Sequence, residues 1–156
     1  MSSRIERFFA TSEDPTLLLL RVAGGAVMFP HGAQKLLGWF GGRGFDATMA
    51  GMQEGLGLPA FVVLLVILGE SLGALGLVFG FASRFCAFGV VVTMIGAMAK
   101  HLHNGFFMNW AGRNAGEGYE FHLLMIAIVL PVMFRGGGAC SLDRFVATKI
   151  DAVARP

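Results

Sequence analysis

The sequence predicts an all-α membrane protein: a four-transmembrane-helix bundle with a short interfacial helix in its first loop and both termini cytoplasmic. Three observations carry this reading. Only 14% of the 156 residues are charged while 55% are hydrophobic, and the mean hydropathy is +0.68, whereas soluble domains carry roughly 25% charged residues. Four apolar runs approach the roughly 20 residues a helix needs to cross a bilayer. The basic residues gather on one side of those runs.

The first span is Leu17 to Leu37 and the second Leu58 to Ala82; Phe85 to His101 and Tyr119 to Phe134 are shorter. Backbone polar groups in lipid must be satisfied internally, so helices are the economical reading for all four. Residues 1–16 are polar, and the first run contains Arg21 and no small-residue cleavage site before His31, so this span is expected to remain rather than act as a cleaved signal. Arg4, Arg7, Arg84, Arg135, Arg144, Lys149 and Arg155 fall on the arm, second loop and tail, against Arg43, Lys100 and Arg113 on loops one and three. The positive-inside rule then sets the termini in the cytoplasm. The net charge of +2 is a topology signal and gives no reason to expect nucleic acid as a partner. The expected organisation is an N-terminal arm (1–16), a membrane domain (17–143) and a cytoplasmic tail (144–156).

In loop one, Gly38 to Gly57, Asp46 is placed to cap a short helix ending at Gly55 or Gly57, with Phe45, Met49 and Met52 on the interface. Loop three, His103 to Gly118, carries Phe106, Phe107 and Trp110 and reads as an aromatic belt at the outer surface. Gly24 and Gly25 on the first span, and Gly69, Gly73, Gly76 and Gly80 on the second, allow close helix approach. Pro131 is expected to kink the fourth span. Cys86 and Cys140 form no C-x-x-C pair, lie at predicted cytoplasmic ends, and read as two buried thiols.

Glu70 stands in the middle of the apolar second span. An ionisable residue at that depth is a functional hypothesis, since a carboxylate facing lipid is costly. On the first span Arg21, Met28, His31 and Lys35 share one helical face, which is expected to turn inward. At 1.5 Å per residue from each cytoplasmic end, Glu70 lies about 18 Å up, His31 about 21 Å, Glu120 about 22 Å and His101 about 24 Å. Four helices would thus deliver one titratable group each to one layer. His101 and His103 point to opposite sides of a helix, as do Glu120 and His122; His101 and Glu120 are expected inside and His122 at the periphery.

Three chemistries fit such a layer. A metal or haem could use His31 and His101, though the paired Glu-x-x-His motifs of di-metal bundles are absent, and no metal ligand set is assigned. A quinone needs hydrogen-bond donors, a proton route and an apolar slot, which His31, Lys35, Glu70 and Glu120 with glycine-faced helices supply. A buried ion-pair network fixing helix register needs no ligand at all.

The segments Arg21 to Gly42 (RVAGGAVMFPHGAQKLLGWFGG), Gly69 to Arg84 (GESLGALGLVFGFASR), His101 to Phe107 (HLHNGFF), Gly116 to Leu124 (GEGYEFHLL) and Gly136 to Asp143 (GGGACSLD) resemble the DoxX family of small four-helix bacterial membrane proteins. The resemblance implies a multi-pass protein of the bacterial cytoplasmic membrane linked to redox chemistry, and its pattern falls on Arg21, His31, Gly32, Lys35, Glu70, His101, Gly105 and Glu120. No appended soluble domain, outward cysteine pair or nucleotide motif is expected from these residues, so a second component is expected to complete any reaction. The leading expectation is a quinone-linked oxidoreductase subunit whose polar pocket opens toward the outer leaflet. Glu70 and Glu120 would relay protons, while Arg21, His31, Lys35 and His101 would bind the cofactor. The competing expectation is a non-catalytic module that binds a lipid-like ligand, or docks a soluble redox protein through Arg135, Arg144 and Lys149. Homo-oligomer formation through Gly73 to Gly80 is compatible with either.

Overall fold

The computed structural model describes residues 4–154. The extreme ends of the predicted arm and tail, including Arg155, lie outside the described residues. Among those described the chain is helical without a strand, in the order α1 (Arg4–Phe9), α2 (Pro15–Leu36), α3 (Gly44–Leu56), α4 (Ala60–Leu68), a π-helical turn (Gly69–Gly73), α5 (Ala74–Phe79), α6 (Ser83–His101), α7 (Glu120–Arg135) and α8 (Leu142–Ala154). Three helical stretches are long and apolar enough to cross a membrane: Pro15–Leu36, Ala60–Phe79 and Ser83–Asn104.

Each boundary has a local cause. The Asp14 carboxylate accepts the Thr16 N–H at 2.8 Å, and Pro15 occupies the first turn of α2, where its missing N–H costs nothing. Gly57 and Gly80, at φ 65° and 68°, end α3 and α5 in the left-handed conformation. Arg43, not Asp46, stands at the α3 N-cap, so Asp46 sits inside the first turn, where a negative charge favours the helix dipole. Pro131 lies within α7, which continues to Arg135.

Helix α2 packs on α5, the π turn and α7, and α6 packs on α7 and the π turn. Their shared core is Leu17, Met28, Ala74, Leu77, Ala87, Val90, Met94, Met125, Val129 and Val132. Gly25 permits close packing of α2 on α5, since a Cβ there would lie 2.7 Å from the Ala74 carbonyl oxygen. Large apolar side chains cover the outside as well: Leu19, Phe61, Leu65, Leu72, Phe88 and Ile95 are exposed. An apolar exterior around a small-residue core is the pattern of helices that contact lipid.

Candidate functional site

The centre of the polar region is where α2 meets the π turn. Gly32 has no Cβ, and one placed there would fall on the Glu70 carbonyl and the Ser71 amide nitrogen. Its absence lets the widened Gly69–Gly73 turn press against α2. A π turn leaves part of the regular i→i−4 ladder unmade; within it the buried Ser71 hydroxyl donates to the Ile67 carbonyl at 2.6 Å. Glu70 is buried, and its Oε2 accepts from Lys35 Nζ at 2.5 Å. The Lys35 side chain is 27% exposed and that of Glu70 is 7% exposed. A carboxylate this deep needs such a partner to remain charged. His31, one turn before Lys35 and exposed, lies within electrostatic range of both Lys35 and Glu70.

A row of rings continues from this pair. His31 packs against Phe121 with centroids 5.6 Å apart, Phe121 meets His122 edge-on at 5.9 Å, and His122 stacks on His101 at 5.1 Å with 24° between planes. His101 Nδ1 lies 3.1 Å from the Glu117 carbonyl oxygen, which can only accept, so Nδ1 is the donor of this contact. His103 is exposed.

Two sequence expectations are corrected here. His122, not Glu120, is the buried member of its pair. Glu120 is the first residue of α7, and its carboxylate accepts the Met108 N–H at 3.2 Å while Glu117 accepts that of Asn109 at 2.8 Å. The open loop amides draw both carboxylates away from the helix interior. The loop is further tied down by Tyr119 N–H to Gly105 O and Glu120 N–H to Phe106 O.

Arg21 is also elsewhere. It lies fourteen residues before Lys35, roughly 21 Å along the helix, and is 1% exposed. Its five N–H groups meet five carbonyl oxygens: Nε to Gly137 at 2.7 Å, Nη1 to Leu77 at 3.1 Å and Val78 at 2.5 Å, and Nη2 to Ala139 at 3.2 Å and Cys140 at 2.9 Å. Arg21 is a clamp closing the end of α5 onto the glycine-rich loop after α7. Asp143 works beside it, accepting the Ala82 N–H at 2.6 Å and the Ser83 N–H at 2.9 Å to cap α6 from another helix. Cys140 is exposed and Cys86 half-buried; both are free thiols.

Among the described residues, no three His, Cys, Asp or Glu side chains converge to hold a metal ion. The basic residues at the other end are engaged within the chain. Arg135 bridges to Asp14 at 3.2 Å, Arg144 pairs with Glu13, and Lys149 lies 5.6 Å over the Phe145 ring.

Fold and site together define a helical membrane protein with a buried ion pair beside a row of histidines. The chain belongs to the DoxX family, whose model matches residues 16–109 and so takes in His31, Lys35, Glu70 and His101 while ending before α7. A Bacillus subtilis (strain 168) protein named "Putative oxidoreductase CatD" is 30% identical over 129 residues, covering 83% of this chain and 85% of that one. An uncharacterized protein of Haemophilus influenzae (strain ATCC 51907 / DSM 11121 / KW20 / Rd) is 31% identical over 132 residues, 81% of this chain and 87% of that one. No solved structure matches the chain.

Proposed function

We propose that this protein is a membrane-embedded subunit of a quinone-linked oxidoreductase. In this reading α2, the α4–α5 rod, α6 and α7 cross the bacterial cytoplasmic membrane as a four-helix bundle with both termini cytoplasmic. The observation that carries it is the Lys35–Glu70 pair on a π-helical turn, with His31 alongside. π turns recur at functional sites, and a buried pair with one partly exposed member is suited to exchanging a proton. The oxidoreductase name of the Bacillus subtilis relative supports the redox direction.

The donor set suits a quinone. Lys35 has three N–H donors and spends one on Glu70, leaving two for a ring oxygen. A bound quinone supplies acceptance of two electrons and two protons. Lys35, with His31 alongside, would hold one ring oxygen, and Glu70 would keep Lys35 charged and pass protons to it. His101, fixed by Glu117, would present Nε2. Arg21 and Glu120 have no part in this set, since their hydrogen bonds hold backbone.

The docking-module reading rests on Arg135, Arg144 and Lys149, whose contacts with Asp14, Glu13 and the Phe145 ring lie at the surface, and no further observation favours it. The test of the quinone reading is a reduced-minus-oxidised difference spectrum of protein purified anaerobically in mild detergent. A near-stoichiometric quinone band is expected; a haem band or a featureless spectrum from folded protein would refute it.

A further inference from the structure

We infer that His122 is the residue that recognises a ring oxygen of the quinone-class ligand, reached along the seam between α2 and α7. This rests on the quinone reading above and adds a residue to it. His122 is 9% exposed, yet its Nδ1 has no hydrogen-bond partner. The Tyr119 carbonyl lies beside the ring, but no group meets Nδ1 in hydrogen-bond geometry. Buried polar atoms are nearly always paired, and an exception calls for a reason.

The surroundings point to a flat ligand bearing an oxygen. On one side His101 covers the face of the imidazole and, being anchored on Glu117, fixes its orientation. Phe121, edge-on to the imidazole, and the exposed His31 packed on Phe121 offer aromatic surface leading to the Lys35–Glu70 pair. A quinone has oxygens at opposite ends of one ring. His122 would take one and Lys35 the other, so that the row from His122 to Lys35 forms a single recognition surface. A neutral imidazole nitrogen either donates to a carbonyl oxygen or accepts from the hydroxyl of the reduced form, so the same contact serves both states.

The test is a titration of wild-type protein in lipid nanodiscs with a short-chain benzoquinone, repeated for His122→Asn, His122→Gln and the control His103→Asn. Asparagine places its amide nitrogen as many bonds from Cβ as Nδ1, whereas glutamine carries it one atom further. The expected result is saturable wild-type binding, weakened roughly tenfold by His122→Gln, and within about threefold of wild type for His122→Asn and His103→Asn. In 15N-histidine-labelled wild-type protein, the His122 Nδ1 resonance should shift on quinone addition. Wild-type binding with His122→Gln unchanged, or with an unmoved Nδ1 resonance, would overturn the role of His122 and leave the quinone reading standing. No wild-type binding would overturn both. If the variants fail to fold, the wild-type resonance alone decides.

Discussion

Replacing Arg21 by lysine keeps the charge and removes the geometry, so it separates a structural clamp from a ligand-binding cation. The guanidinium spreads five N–H donors over carbonyls of Leu77, Val78, Gly137, Ala139 and Cys140. A lysine has three donors at a single point, so at least two of these carbonyls lose their partner. Hydrogen bonds to charged groups contribute about 1.5–3 kcal/mol each, which for two lost contacts, allowing for non-additivity, gives about 3–5 kcal/mol of destabilisation. Reversible unfolding in bicelles by denaturing detergent, followed by circular dichroism, reads this directly. Quinone affinity of the folded fraction should be unchanged within about twofold, because Lys35 is roughly 21 Å away. A stable Arg21→Lys protein with impaired quinone binding would refute the clamp and restore Arg21 to the ligand site.

Two further perturbations test the packing. Gly32→Ala drives a methyl into the backbone of Glu70 and Ser71, which cannot swing aside as a side chain can. We expect a loss of about 3 kcal/mol, the upper end for overpacking, together with loss of bound quinone; a variant of wild-type stability would show that the π turn does not press on α2. The Asp14 carboxyl, held below its ordinary 3.8 first by the Thr16 N–H and then by its hydroxyl and Arg135, makes the α2 cap pH-dependent. Because its folded pKa is depressed, its stabilisation is present above the unfolded value and is lost as pH falls through the folded one. Thermal stability should therefore fall on acidification below about pH 4, with a shallower dependence in Asp14→Asn; an identical slope in the two proteins would exclude Asp14 as a contributor.

The apolar helices were legible because they depend on short-range facts. Apolar runs, bounded by Gly57, Gly80 and the Arg84 and Arg135 flanks, place helices α2, α4–α5, α6 and α7 within about three residues of their observed ends, and three of these stretches are long and apolar enough to cross a membrane. The π turn was not legible, since G-E-S-L-G has nothing in composition that distinguishes it from an α-helical turn; its cause is the fit against Gly32 on another helix. The choice between Glu120 and His122 failed for a similar reason. Helical periodicity assumes that the helix runs through both residues, whereas α7 begins at Glu120, fixed there by the Gly105 and Phe106 carbonyls. Arg21 shared a helical face with Met28, His31 and Lys35, and that face turns inward at Arg21 and Met28 but leaves His31 exposed. The partners of Arg21, however, are carbonyls far away in sequence. The one available signal was the glycine run Gly136 to Gly138, whose bare backbone needs a donor. Helices α1 and α8 were read as arm and tail, because periodicity over so few residues competes poorly with their charge.

The most direct test of the central claim is the quinone content of protein purified from bacterial membranes, extracted and quantified for wild type and for Lys35→Met and Glu70→Gln. The account predicts close to one quinone per wild-type chain, with most of it lost in both variants while their helical content is retained. Wild-type protein carrying no more quinone than an unrelated membrane protein handled in the same detergent, or variants retaining the full amount, would contradict it.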